Sequence, residues 1–356
     1  MKCLTISILI IFSATIFGSK SSDEKEPHRR KDYKHVFNDE YRKYLDAHPN
    51  KNHHEWSEEI KFRREQKFNQ TLKWIENHKK NRHPYEVGIT RFADVLEEDL
   101  TKYLGLDESQ NRQPRSLPII NPLDSSPPAS LDYSSYAPPI TDQAKCGACW
   151  AFATVGMLST VYGYTTNRNW NSYLSEQFLI DCDPVDSGCK GGFPSNTLMW
   201  LKGNQLSYML DSISYPYISG ITEKPSVTGC KTSGLNYVPL SMSTIFQANV
   251  NGDVDYTKQI LWSYGPVITG MSVPSNCTAF HAYKSGVYVD NCNCVSNCTL
   301  TNHAVVLMGY GTENGLDYWL FRNSWGTTWG INGYMKIERS SLNKCNMACI
   351  LIGIEP

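Results

Sequence analysis

Cysteines are spread very unevenly along this chain of 356 residues: of twelve, Cys3 stands alone near the start and the other eleven lie between Cys146 and Cys349. In an exported protein that distribution limits the fold strongly, because an oxidising compartment turns cysteines into cross-links. Export is what the N-terminus indicates. Residues 1–19 carry Lys2, an apolar run from Leu4 to Phe17 and the small residues Gly18 and Ser19, the make-up of a secretory signal peptide. The run is too short to span a membrane comfortably and no later stretch approaches that length, so a mature chain without a membrane anchor is expected. Cys3 would leave with the signal, and eleven is an odd number. Setting Cys149 aside as a free thiol leaves ten cysteines, enough for five bridges.

Cys149 is singled out by the residues on its C-terminal side. Trp150, Ala151, Phe152, Ala153, Val155, Met157, Leu158 and Val161 are apolar on nearly every side of a helix, which predicts a helix buried in a core, entered sharply at Gly147. A cysteine in the first turn sits at the positive end of the helix dipole, where free N–H groups favour a thiolate. The pair Cys146 and Cys149 is also compatible with a disulfide, a zinc half-site or a thioredoxin-like redox couple. The aromatic residue comes after the pair, no second C-x-x-C occurs, and the export signal disfavours a reduced zinc site, so the balance moves toward a nucleophile.

The rest of the chain divides by character. From Lys20 to about Asn111 it is charged and free of cysteine, with helical patterning from Tyr41 to Asn81; Phe62, Phe68, Leu72 and Ile75 predict an amphipathic helix. Prolines and serines accumulate between Gln113 and Pro139, including Ser125-Ser126-Pro127-Pro128, as in an extended, cleavable linker. Past Tyr237 short β-rich runs begin, so the fold class is α+β with a second subdomain. Thr301 to Gly311 reads as a strand buried on both faces and led by His303. Asn69, Asn276 and Asn297 open glycosylation sequons. The formal net charge of -1 offers no electrostatic reason to expect nucleic acid or a membrane surface as partner.

Gln143 followed by Cys146-Gly147-Ala148-Cys149-Trp150-Ala151-Phe152 resembles the active-site signature of papain-like cysteine proteases, with Ala144 and Ala148 where Gly and Ser are usual. Leu174 to Cys182, Gly188 to Gly192, Asn302-His303-Ala304-Val305 and the Asn323-Ser324-Trp325-Gly326 segment resemble further motifs of that family, in order. Arg64, Phe68 and Ile75 resemble part of the propeptide E-R-F-N-I-N pattern, with Ile60, Thr71 and Lys79 departing from it. Gly88 to Asp94 resembles G-x-N-x-F-x-D with Thr90 for Asn. The resemblance is to the cathepsin L-like, long-propeptide type.

It implies a papain-like two-subdomain fold, helical on the left and β-barrel-like on the right, preceded by a helical inhibitory propeptide. The expected boundaries are 1–19 for the signal, 20–122 for the propeptide and 123–356 for the mature peptidase. The implied catalytic set is Cys149 as nucleophile, His303 as base, Asn323 as its orienter and Gln143 as oxyanion donor, with Trp325 shielding the His303–Asn323 bond. Gly191 and Gly192 would receive a substrate backbone. Phe193, Pro194, Gly270 and Ala304 would wall the pocket for the side chain two residues before the cut bond, with Ile350 at its floor and so an apolar preference. By the same resemblance Cys146 pairs with Cys189, Cys182 with Cys230 and Cys292 with Cys345, leaving Cys277, Cys294, Cys298 and Cys349 for two further bridges.

A thiolate–imidazolium pair is expected in the working enzyme, with no metal and no organic cofactor. Implied partners are protein and peptide substrates, the chain's own propeptide and cystatin-like inhibitors; a monomer in a lysosome or outside the cell is the implied setting. Two other readings stay open on the sequence: a catalytically silent relative that binds peptides or partners, and a thiol oxidoreductase.

Overall fold

The computed structural model describes residues 35–355 except 108, 110–119, 121, 123–125, 168–172, 204–207, 227–228, 290–291, 293, 295–297, 299–300 and 341–343. The signal stretch, part of the linker including residue 123 at the expected boundary, and Asn297 lie outside the described residues. The chain divides into units Met1–His35 and Val36–Pro356, and the second holds all the elements of the fold.

Its N-terminal part is a small helical pad. Helix α1 (Asp39–Asp46) starts where the Asn38 side chain accepts the Tyr41 N–H at 2.8 Å, and α2 (Glu58–Lys79) where Ser57 Oγ accepts the Ile60 N–H at 3.3 Å. Tyr41, Tyr44, Leu45, Phe68 and Ala93 form its core. Phe68 and Ile75 of the expected amphipathic face are buried, whereas Phe62 turns outward and is 49% exposed. The charged composition is used internally. Buried Asp94 accepts from the hydroxyls of Tyr41 at 2.8 Å and Tyr44 at 3.0 Å and pairs with Lys51, while Arg64 pairs with Asp99. The pad continues into β1 (Tyr85–Val87) and α3 (Glu97–Leu100).

The remainder has a helical half and a sheet half. The order is β2 (Leu131–Asp132), α4 (Cys149–Thr165), α5 (Glu176–Cys182), α6 (Pro194–Gly203), β3 (Tyr208–Leu210), α7 (Ser219–Thr222), β4 (Tyr237–Pro239), β5 (Thr244–Asn249), α8 (Val254–Tyr264), β6 (Val267–Met271), α9 (Thr278–His281), β7 (Tyr283–Tyr288), β8 (His303–Glu313), β9 (Leu316–Arg322), β10 (Tyr334–Glu338) and β11 (Ile350–Glu355). The main sheet runs β1-β7-β10-β9-β8-β6-β11-β5, with β2 also on β8, and β3 and β4 form a separate pair. Its end strands β1 and β5 are not neighbours, so the half expected to be barrel-like is an open sheet. The pad contributes the edge strand β1, which pairs antiparallel with β7.

Strand β8 explains why its sequence is apolar without alternation. Val305 and Leu307 face one core, with Phe280, Phe321 and Trp329, while Ala304, Val306 and Met308 face the other, with Trp150, Met157 and Leu158 of α4. The strand extends beyond Gly311 to Glu313 and turns at Asn314-Gly315, both with positive φ (51° and 79°), the backbone a two-residue hairpin requires.

Five bridges are present among the described residues. Cys146 is joined to Cys189 and Cys182 to Cys230. The expected bridge from Cys292 to Cys345 is corrected: Cys292 is joined to Cys277, Cys294 to Cys345 and Cys298 to Cys349. The path of the chain supplies the reason. Cys277 stands just before α9 and Cys292 just after β7, so a tight α9–β7 excursion of 15 residues brings them together, and Cys345 is met two residues further on by Cys294. Cys149 is the free cysteine, and it is buried.

Candidate active site

Helix α4 begins at Cys149, and its cap position, Ala148, provides no side-chain hydrogen bond. The first-turn N–H groups are therefore left for other acceptors. The backbone N–H groups of Cys149 and Trp150 face the sulfur, and the Ala304 N–H donates to Cys149 Sγ at 3.3 Å. The last contact places the sulfur against the first residues of β8, where His303 lies.

His303 Nε2 is 2.8 Å from Asn323 Oδ1, which also receives the Ser324 N–H at 2.8 Å. The second bond fixes which end of the amide faces the ring. An amide oxygen only accepts, so Nε2 carries the hydrogen and Nδ1 keeps its lone pair. Nδ1 is buried and has no hydrogen-bond partner among the described residues, as a base awaiting a proton would be. Trp325 lies over the ring, centroids 4.8 Å apart and planes 28° apart, and keeps water from the His303–Asn323 bond.

Gln143 is held from both ends. Its Oε1 accepts the Ser324 hydroxyl at 2.6 Å and its Nε2 donates to the Cys146 carbonyl at 2.9 Å, leaving one amide hydrogen over. Ala144, where the resembled family has Gly, adopts φ 48° to make this turn. Ser324 thus orients Gln143 and Asn323 together, a role the motif hid because its neighbours on either side drew attention.

Pad residues close the cleft. The N–H groups of Gly105 and Leu106 both donate to the Asn302 carbonyl at 3.1 Å, Asp107 N–H donates to the Gly192 carbonyl at 3.1 Å, and Gly192 N–H donates to the Gly105 carbonyl at 3.0 Å. Gly105 passes so close to Gly147 that any Cβ would overlap its backbone. Leu106 lines a pocket together with Phe193, Pro194, Gly270, Ala304 and Ile350, packing close to Gly270. The sequence-predicted pocket residues are therefore brought together, with a propeptide-side leucine that no motif announced. Gly191 closes the same loop, accepting the Ser187 N–H at 2.9 Å. Asn69 and Asn276 are both exposed.

Sealing changes the ionisation. Burial pushes the Cys149 thiol up to about 12, against the lowering pull of the three backbone N–H groups, and pushes His303 down to about 4, against its bond to Asn323. In this closed form the couple is a neutral thiol and a neutral imidazole. At this degree of burial the ion pair expected from the motif is disfavoured.

Residues 127–352 match the model of the papain family cysteine protease domain. Oryzain gamma chain of Oryza sativa subsp. japonica is 33% identical over 293 residues, 79% of this chain and 74% of that protein; pro-cathepsin H of Bos taurus is 29% identical over 301 residues, 82% and 84%. Among solved structures, the digestive procathepsin L2 proteinase from Tenebrio molitor larval midgut superposes with a TM-score of 0.76 at 26% identity, covering 89% of this chain and 99% of that one.

Proposed function

The chain belongs to the papain family of cysteine proteases, as a precursor with a propeptide, and from that premise we propose that Cys149, His303, Asn323 and Gln143 form its catalytic set. The observation that carries this reading is the placement of Cys149, the free thiol among the described residues, at the N-terminus of α4, against the strand that presents a histidine whose Nδ1 is open and whose Nε2 is engaged by Asn323. When a peptide replaces the propeptide segment, water re-enters and a proton passes from Sγ to Nδ1. The thiolate attacks the peptide carbonyl, His303 protonates the leaving amine, and water deprotonated by His303 then cleaves the thioester. The spare Nε2 hydrogen of Gln143 and the Cys149 N–H would stabilise the oxyanion, a kind of contact worth about 2.7–4 kcal/mol in the barrier.

The pocket around Leu106 selects an apolar side chain. Filling it with Leu, Val or Phe gains about 1.5–3 kcal/mol, whereas an arginine would lose hydration with no acid to receive it. Export through the secretory pathway to a lysosome or the exterior fits the N-terminal stretch and the five bridges. Action as a monomer on protein and peptide substrates, subject to cystatin-like inhibitors, belongs to the same reading.

The test is the full-length precursor matured in mild acid, titrated with a thiol-directed epoxide and assayed on matched peptides with Leu, Phe or Arg in that pocket. One labelled cysteine per chain, at Cys149, with hydrolysis lost in Cys149→Ala and the apolar peptides cleaved faster, is expected. Appreciable turnover by Cys149→Ala would overturn the catalytic assignment, and faster cleavage of the arginine peptide would overturn the pocket.

A further inference from the structure

Behind the loop that receives the peptide backbone lie two carboxyl groups that the catalytic set does not use, one buried (Asp183) and one half-buried (Asp186). Asp183 and Asp186 sit in the turn between α5 and Gly192. Asp186 Oδ1 accepts the backbone N–H of Phe193 at 2.9 Å and the Asn196 amide at 3.3 Å, and its Oδ2 accepts the Thr197 hydroxyl at 2.9 Å. Asp183 Oδ1 accepts the Val185 N–H at 2.8 Å, but its Oδ2 is buried without a hydrogen-bond partner among the described residues. Burial, these hydrogen bonds and the other carboxyl act on each group. Two neighbouring carboxylates that no described lysine or arginine neutralises are unstable as a doubly charged pair, and a proton between them is the simplest remedy. Consistent with this, burial and Asp186 push Asp183 up to about 7.

The pair supports the peptide-docking backbone directly. A Cβ on Gly192 would meet the Asp186 side chain at 2.8 Å and the Trp150 ring at the same distance, so the strand-pairing residue rests on Asp186 with no space between. Gly192 is the residue that exchanges hydrogen bonds with Gly105 and Asp107. We propose that Asp183 and Asp186 share one proton, that this proton holds the Gly191–Phe193 loop in its docking conformation, and that loss of the proton weakens peptide binding at Gly192. Asp183 and Asp186 are then positioning residues, and the alkaline limb of activity originates in the binding loop as well as in the Cys149–His303 couple. The inference rests on the peptidase reading.

Asparagine can replace the shared proton permanently, because its amide donates to the remaining carboxylate at every pH. Wild type, Asp183→Asn and Asp186→Asn are to be matured from the full precursor, counted by epoxide titration and assayed between pH 5 and 8.5. The ratio of kcat/KM at pH 8 to that at pH 5.5 should rise at least fivefold in either asparagine variant, through KM rather than kcat. Unchanged ratios, or a change confined to kcat, overturn the proposal. An absence of titratable sites in the wild type would instead refute the peptidase reading. Unfolding of the unprocessed precursors separates the two: the melting temperature of wild type minus that of Asp183→Asn should fall as pH rises from 5 to 8, and a constant difference overturns the shared proton whatever the activity.

Discussion

The propeptide meets the mature part in two places built on different physics. Over residues 39–103 it is a folded pad with its own core, and its later part carries side-chain anchors: Phe92 packs on Trp325 at 4.7 Å and on His281 at 5.2 Å, and Thr90 Oγ1 donates to the His281 carbonyl at 2.7 Å. From Leu104 to Asp107 it is a bare strand joined mainly through backbone groups to Asn302 and Gly192, with the Leu106 side chain lining the pocket. The pad has bulk and a core of its own, and the strand has neither. Holding and blocking are therefore separable, with affinity residing in the pad and the blockade in four residues.

The largest effect should come from the centre of the pad. Asp94→Ala removes the carboxylate partner of the buried Lys51 ammonium and of the Tyr41 and Tyr44 hydroxyls, leaving Lys51 and Tyr44 only the Arg91 carbonyl, a loss of about 3–5 kcal/mol by the usual cost of breaking a buried pair. In a Cys149→Ala background, where self-cleavage cannot intervene, the precursor should show an early unfolding step assigned to residues 36–103. A single unshifted transition would place the stability of the pad elsewhere. Gly105→Ala attacks the other region. Its Cβ collides with the Gly147 backbone, so the strand should lift while the pad stays docked, and Cys149 should become reactive to a thiol reagent at neutral pH without propeptide loss. If labelling appears only after the propeptide dissociates, the two regions are not independent.

The same contrast governs what the sequence disclosed. Helix α4 and strand β8 were legible because burial on all sides leaves an apolar run that few alternatives explain, and the pocket residues could be placed from motifs at fixed offsets. The blocking strand was not legible: backbone hydrogen bonds leave no composition signature, and Gly105 and Leu106 are ordinary residues. The Cys292 partner was misassigned because three cysteines within seven residues compete for the same loop, and only the path of β7 decides which reaches Cys277. The upward push on the Cys149 thiol comes from the burial of the assembled site, which no local motif encodes.

A smaller effect concerns acid. Burial pushes His281 down to about 4, with Lys67 of the pad adding to the depression; its Nδ1 donates to the Cys277 carbonyl at 2.8 Å. His303 is depressed to the same value, and both rings stack on Trp325, His281 at 6.1 Å and His303 at 4.8 Å. For groups whose folded value is depressed, the closed form is favoured above the open-state value near 6.5, and that stability is lost as pH falls toward 4. One unit below 6.5 the penalty for each ring is about 1.4 kcal/mol, or tenfold. Gln at position 281 cannot charge, so His281→Gln should mature about tenfold more slowly near pH 5.5 and equally slowly at pH 7.5. An unchanged pH dependence would remove His281 from the trigger and leave His303.

The smallest effect should come from the most conspicuous charge contact between pad and cleft. Arg91 pairs with Asp142, which also accepts the Ala144 N–H at 2.8 Å immediately beside Gln143. The Asp142 side chain is 42% exposed, so solvent screens the pair and its worth is about 0–1 kcal/mol. The arginine also lies 5.3 Å over the Tyr103 ring, and that packing is what a truncation to alanine would confound. Arg91→Met keeps the stem and removes the charge. Released propeptide at neutral pH should rise less than fivefold in low salt, and the difference from wild type should vanish at 0.5 M salt, where the screening length is only about 4 Å. A larger effect that survives salt would mean that the pad is held by charge, and the division between a packed anchor and a blocking strand would have to be redrawn around Asp142.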